Sequence, residues 1–104
     1  MPKPRKNDSL KIRTDLLPPW ALLDIAEIMT FGANKYSDYN YRNGNGLNWS
    51  RVYAALQRHI LAWYTGEDLD DESGKSHLAH AGCCLIMLMD LVDHEKGKDD
   101  RPIV

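Results

Sequence analysis

The stretch SHLAHAGCCLIMLMDLVDH, residues 76–94, limits the possible folds more than any other part of the chain. Leu78, Ala81, Leu85, Leu88 and Val92 recur at spacings of three and four, and Cys84, Met87 and Leu91 extend a second apolar stripe beside them. A helix that is apolar on most sides is stable only where protein surrounds it. The pattern therefore predicts a helix from about Ser76 to His94, at the centre of a core or of a subunit interface.

Two further helices are predicted around it. Pro18 and Pro19 suit the first positions of a helix, where a missing N–H costs nothing, and Leu22, Ile25, Ala26 and Met29 follow at helical spacing. Ser50 is a good N-cap for a helix running to about Tyr64, with Ala54, Ala55, Leu56, Ile60 and Leu61 apolar and Gly66 placed to stop it. Between these helices, residues 36–48 (YSDYNYRNGNGLN) hold Gly44, Gly46 and four asparagines, a turn-forming composition. No alternation of strand type and no internal repeat is present. The expected class is all-α: a small bundle of three main helices.

At 104 residues and 43% hydrophobic content there is room for one domain, 1–104. Such a domain buries only ~65% of the surface its unfolded chain exposes, so completion by homo-oligomerisation is expected. Residues 1–14, basic and with two prolines, read as a mobile arm, and residues 95–104 as a loose charged tail. The formal charge of −2 argues against holding duplex nucleic acid by phosphate neutralisation. Adjacent Cys83 and Cys84 fit neither a disulfide framework nor a C-x-x-C pair, which suggests reduced thiols in a cytoplasm. The longest apolar run, Cys83 to Met89, is too short to span a bilayer, so no membrane partner is expected.

The stretch GEDLDDESGKSHLAH, residues 66–80, joins an acidic loop to two histidines. As a calcium loop starting at Asp68 it fails, because Ser73 stands where glycine is needed and Ala79 where a bidentate glutamate is needed. Its carboxylates can still offer one or two ligands to Mg²⁺ or Mn²⁺, or serve only as a solvated loop favouring the helix N-terminus that follows. His77 and His80 lie three apart, so their rings share a helix face and could share a metal or a phosphate. The simpler alternative is a pair of hydrogen-bonded core histidines.

Asp24 and Glu27 on the first helix, and Arg58 and His59 on the second, are likewise charged or polar groups among apolar neighbours. Such groups need partners, so three sites on three helices point to one shared polar pocket, or to salt bridges such as Glu27 with Arg58. Lys35, Asn40 and Arg42 sit with Tyr36, Tyr39 and Tyr41 in or beside the glycine-containing loop. Cations and amides hold phosphates while a ring stacks on a base, which suits a nucleotide.

Taken in order, LLPPWALLDIAEIMTFGANKYSDYNYR, WSRVYAALQRHILAWYTGED and DDESGKSHLAHAGCCLIMLMDL resemble a phage and prophage family of dATP/dGTP diphosphohydrolase-like proteins. The likeness covers about residues 15–91, and FGANKY, RHILAW, GED and ESGKSHLAHA together are its specific part. It implies a distant relation to the all-α nucleotide pyrophosphohydrolases of the MazG type, which are oligomeric, depend on magnesium and release pyrophosphate from nucleoside triphosphates. Their metals are held by E-x-x-E and E-x-x-D pairs. Here Asp24-x-x-Glu27 is an approximate counterpart of the first, and His77-x-x-His80 stands where the second is sought.

The resemblance thus implies a metal-dependent pyrophosphohydrolase acting on a purine deoxynucleoside triphosphate in the cytoplasm of a bacterial host. Glu27, Glu67 and Asp68 are its candidate metal ligands for Mg²⁺ or Mn²⁺, and Glu27, His77 and His80 its candidate catalytic groups. Lys35, Tyr36, Asn40, Arg42, Arg58 and His59 are the candidate nucleotide contacts. A second reading is a non-catalytic phage sponge that sequesters a nucleotide or cyclic-nucleotide defence signal, for which a closed, charge-matched pocket suffices. A third is a structural partner whose polar helix residues only form pairs.

Overall fold

A computed structural model describes residues 1–103. Its elements are α1 (Pro19–Lys35), α2 (Trp49–Tyr64) and α3 (His77–Asp93), with 3₁₀ turns at Thr14–Leu16 and Asn40–Arg42. Among the described residues there is no strand, only an isolated antiparallel bridge between Leu69 and Ser76. The protein is a small all-α fold. Among the described residues no helix is long and apolar enough to cross a membrane.

α3 is the central helix, packed on both α2 and α1. Two of its faces divide the core, while Leu78, Leu85 and Val92 of the first predicted stripe stay exposed. Cys84 and Leu91 meet Val52 of α2 and Tyr41 of the connecting loop, while Ala79 and Cys83 meet Ile28 of α1. Leu91 is fully buried. Gly82 lets α1 come close, since a Cβ there would lie 2.8 Å from the Ile25 side chain. The core is thin: Leu22 and Leu23 on α1 and Leu85 and Met89 on α3 remain exposed. The radius of gyration is 17.3 Å, against about 13 Å for a compact domain of this length.

The helix ends follow local chemistry. Pro19 occupies the first position of α1, as expected, and Ser76 caps α3 by accepting from the Leu78 N–H. α2 differs from expectation. It starts at Trp49, so Ser50 lies inside the first turn, and Asn48 at the cap position makes no side-chain bond. The cap comes from the tail: Asp100 accepts from the Ser50 N–H at 2.9 Å and from its hydroxyl at 2.5 Å. A carboxylate there satisfies orphan donors and opposes the positive end of the helix dipole.

The tail expected to be loose makes further contacts. The Trp49 N–H donates to the Lys98 carbonyl, its indole N–H to the Lys96 carbonyl, and the Arg101 guanidinium lies over its ring. Gly97, at φ +77°, crosses Leu47 so closely that a Cβ would fall 2.1 Å from that residue's carbonyl oxygen.

Candidate functional site

α2 ends by delivering the chain into the acidic loop in a fixed direction. The Gly66 N–H donates to the Trp63 carbonyl and the Glu67 N–H to the Ala62 carbonyl, with Gly66 at φ +105°. This pair of bonds is the Schellman stop that a glycine just past the helix permits. The loop then folds back on itself. Asp70 N–H donates to the Lys75 carbonyl at 2.7 Å, Gly74 N–H to the Asp70 carbonyl at 2.8 Å, and His77 N–H to the Asp68 carbonyl at 3.0 Å. Glu67 and Asp70 are thereby carried to the first turn of α3, opposite His59 on α2.

Three histidines meet there. His59 Nδ1 and His77 Nδ1 are 2.8 Å apart, and the His59 ring stacks on His80 with centroids 4.5 Å apart and planes 11° off parallel. Asp70 completes the group: His59, Asp70 and His77 each offer a ligand atom within 4.8 Å of the others. Asp70 is itself held by the Ser73 N–H at 2.9 Å, and the Ser73 hydroxyl lies 2.7 Å from His80 Nε2. His77 is 5% exposed, yet among the described residues its Nε2 has no hydrogen-bond partner, with Glu67 Oε2 standing off at 3.4 Å.

The electrostatics favour neutral rings beside an ionised carboxylate. Burial, then the neighbouring His80 and His77, lowers the His59 pKa, and burial lowers that of His80 against the opposing pull of Asp70. Burial alone would raise Asp70, but the Ser73 N–H and hydroxyl, with His80 and His59, more than offset it and hold the carboxyl below its usual range. Neutral imidazole and carboxylate are the forms that ligate metals.

The other expected site residues are distributed around this centre. Glu27, on α1, is paired with Lys75 at 2.8 Å and not with Arg58, so the expected Glu27–Arg58 bridge is replaced by one to the loop. Lys35 pairs with Glu72. These two bridges tie α1 to the acidic loop at two points. Glu67 faces His77, whereas Asp68 is exposed and contributes its backbone carbonyl. Glu27, Glu67 and Asp68 do not form a three-ligand group among the described residues. Arg58 is exposed and makes no ion pair among the described residues.

Arg42 is engaged elsewhere. Its Nε donates to Asp90 at 2.6 Å and its guanidinium stacks 4.2 Å from the Tyr39 ring centre, while the Tyr41 hydroxyl donates to the same Asp90 oxygen at 2.5 Å. Asp90 falls to about 2 through these bonds, Arg42's first, and Tyr41 rises to about 12 through burial and then Asp90. Arg42 thus fastens the loop to α3. Tyr36, Tyr39 and Asn40 line a cavity of about 190 Å³ between α1 and α3, floored by Ile28, Cys83 and Met87. Cys83 follows His80 by three residues, about 4.5 Å along the helix axis. Among the described residues none of the three histidines lines this cavity.

From the sequence His59 falls with the candidate nucleotide contacts, and Asp70 is one of several loop carboxylates. The serine three residues after Asp70, in D-D-E-S, is a signal for a local turn bond to its carboxylate, and does not by itself say which carboxylate turns inward. Asp90 is not among the expected site residues, although a carboxylate in an apolar helix implies a cationic partner, here Arg42.

Comparison with known proteins adds a relationship to this geometry. The family model described as dATP/dGTP diphosphohydrolase, N-terminal, matches residues 2–101. A relative from Salmonella phage PMBT28, named dATP/dGTP diphosphohydrolase, is 32% identical over 96 residues, covering 92% of this chain and 32% of that protein. The chain thus spans about a third of the length of this curated relative. No solved structure matches the chain.

Proposed function

The chain belongs to the dATP/dGTP diphosphohydrolase family, within that family's N-terminal part, and on this premise we propose that it cleaves a purine deoxynucleoside triphosphate to the monophosphate and pyrophosphate. The observation that carries the reading is the histidine–carboxylate centre formed by His59, Asp70, His77 and His80, present in a chain of this family. The relative's name supplies the substrate class.

Water adds to phosphorus at the α–β linkage, the bridging P–O bond breaks, and pyrophosphate leaves with the electron pair. His80 is the group assigned to the proton of that water. It is half-buried, bonded to Ser73, stacked on His59, and its pKa is below the usual value, so at neutral pH it is free to accept a proton. His77 is too buried to meet substrate directly. Lys35, at the C-terminal end of α1, exchanges Glu72 for a phosphate, and unpaired Arg58 provides a further cation. Tyr36, Tyr39 and Asn40 receive the base in the cavity beside Cys83. Glu27 holds Lys75, and with it the loop that carries Asp70.

Of the ions that the resemblance implies, Mg²⁺ takes oxygen ligands and Mn²⁺ also tolerates imidazole, so the two-histidine, one-carboxylate set fits Mn²⁺ and not Mg²⁺. Such an ion supplies phosphate charge neutralisation and a more acidic water.

The test is a comparison of dATP, dGTP, dCTP and dTTP as substrates, with products separated by chromatography. Purine monophosphate plus pyrophosphate is expected, and His80→Gln should lower kcat by about 10²–10⁴-fold with the fold unchanged. A His80→Gln protein with full kcat would remove that residue from the chemistry. Intact nucleotide recovered from a tight complex would favour sequestration.

A further inference from the structure

Five observations converge on the polar centre between α2 and α3. Two imidazoles and one carboxylate, from three separate segments, come within 4.8 Å of one another. The two Nδ1 atoms are 2.8 Å apart. With metal–nitrogen bonds of about 2.0–2.1 Å, that separation subtends about 90° at a shared ion, the angle between adjacent ligands of a six-coordinate site. His77 Nε2 is the buried side-chain atom left without a partner among the described residues. Glu67 Oε2 stands 3.4 Å from it. Finally, Asp70 is oriented from behind by the Ser73 N–H.

The orphaned nitrogen explains the arrangement. A histidine bound to metal through one nitrogen carries its proton on the other and donates it to a carboxylate or carbonyl, which fixes the ring. An ion on His77 Nδ1 would leave the proton on Nε2, facing Glu67. Without an ion, one Nδ1 donates to the other, and where His77 accepts it carries the same Nε2–H; an ion held by both Nδ1 atoms would fix that tautomer.

We propose that His59, His77 and Asp70 bind one divalent transition-metal ion of the imidazole-accepting class, Mn²⁺ to Zn²⁺, with Glu67 orienting His77. Two histidines and a carboxylate leave further positions open for water and phosphate oxygens, and they discriminate against Mg²⁺ by donor type. The inference rests on the function proposed above for the purpose of the ion, whereas its test uses metal alone. Asp68 and Glu27 stay outside the ligand set, and Lys75 remains the partner of Glu27.

Co²⁺ is the probe, because its visible absorption reports nitrogen and oxygen ligands directly. Chelator-stripped protein titrated with Co²⁺ should show one saturable site per chain that Zn²⁺ displaces and a thousandfold excess of Mg²⁺ does not. Glu67→Gln should weaken binding by roughly 10–100-fold, the range for a group that orients a ligand, and His59→Gln and Asp70→Asn by more. Far-UV circular dichroism checks the fold of each variant; His59 and Asp70 carry the test because both are less buried than His77. Absence of a saturable Co²⁺ signal, equal binding by His59→Gln, or displacement by equimolar Mg²⁺ would overturn the proposal. Turnover in protein that binds no Co²⁺ would remove this site and leave the proposed function standing; tight Co²⁺ binding without turnover would do the reverse.

Discussion

Replacing Gly97 by alanine should undock the C-terminal tail from the start of α2. Two separate costs arise. The first is backbone conformation: Gly97 sits at φ +77°, where a side chain costs roughly 1–2 kcal/mol. The second is steric. A Cβ would lie 2.1 Å from the Leu47 carbonyl oxygen and 3.1 Å from Trp49 Cδ1, so the backbone crossing must open by about an ångström. Opening it breaks the bonds from Gly97 N–H to the Asn45 carbonyl and from the Trp49 backbone and indole N–H groups to Lys98 and Lys96. Three bonds at about 1 kcal/mol each bring the total loss to roughly 4 kcal/mol. The control is Gly44→Ala, which has a similar φ of +61° but nothing within 4 Å of the added Cβ. It should lose only about 1 kcal/mol, the conformational part. At ~4–8 °C per kcal/mol for a domain near this size, thermal melts separate the two variants by more than 10 °C. Tryptophan fluorescence should report Trp49 exposure in Gly97→Ala alone. Equal melting temperatures for the two variants would refute the steric argument and the docking of the tail with it.

Leu91→Ala empties the centre of the α2–α3 core, where Leu91 is 0% exposed, and should cost about 2–5 kcal/mol in denaturant unfolding. Asp90, held at about 2 when folded, gives a pH signature. Its folded pKa lies below its unfolded value of about 3.9, so its stabilisation is complete above about pH 4 and is lost as pH falls towards 2. Asp90→Asn should flatten that part of the acid limb in thermal melts, and an unchanged limb would place the loss on other carboxylates. Tyr41 should ionise near pH 12 by ultraviolet absorbance, and Tyr41→Phe should abolish that step. The Cys83 thiol, raised to about 11 by burial and by Cys84, should resist a thiol reagent at pH 8 in native protein and react on unfolding; fast native labelling would contradict its burial.

Much of the fold was legible because hydrophobic periodicity is a local signal. The two stripes, Leu78–Leu85–Val92 and Cys84–Met87–Leu91, announce a central helix, and the Pro19 start, the Ser76 start and the Gly66 stop are set by residues within a turn of each boundary. Ser50 misled because the group that caps α2, Asp100, lies fifty residues away and no local pattern announces it. The site was legible by residue type and not by grouping. His59, His77, His80 and Glu67 each stood out as polar groups in or beside apolar helices, but whether Asp70 or Asp68 turns inward depends on how the loop folds back. Lys75 rather than Arg58 meets Glu27 for the same reason. A 3.6-residue period says which residues share a face of one helix; it is silent on which faces meet.

Cleavage of a purine deoxynucleoside triphosphate is tested most directly by phosphorus-31 NMR of dGTP incubated with the protein and Mn²⁺. The three triphosphate resonances should give way to those of dGMP and pyrophosphate, and the change should fail to occur with His80→Gln. Unchanged dGTP and dATP with wild-type protein, or release of orthophosphate in place of pyrophosphate, would contradict the proposed cleavage.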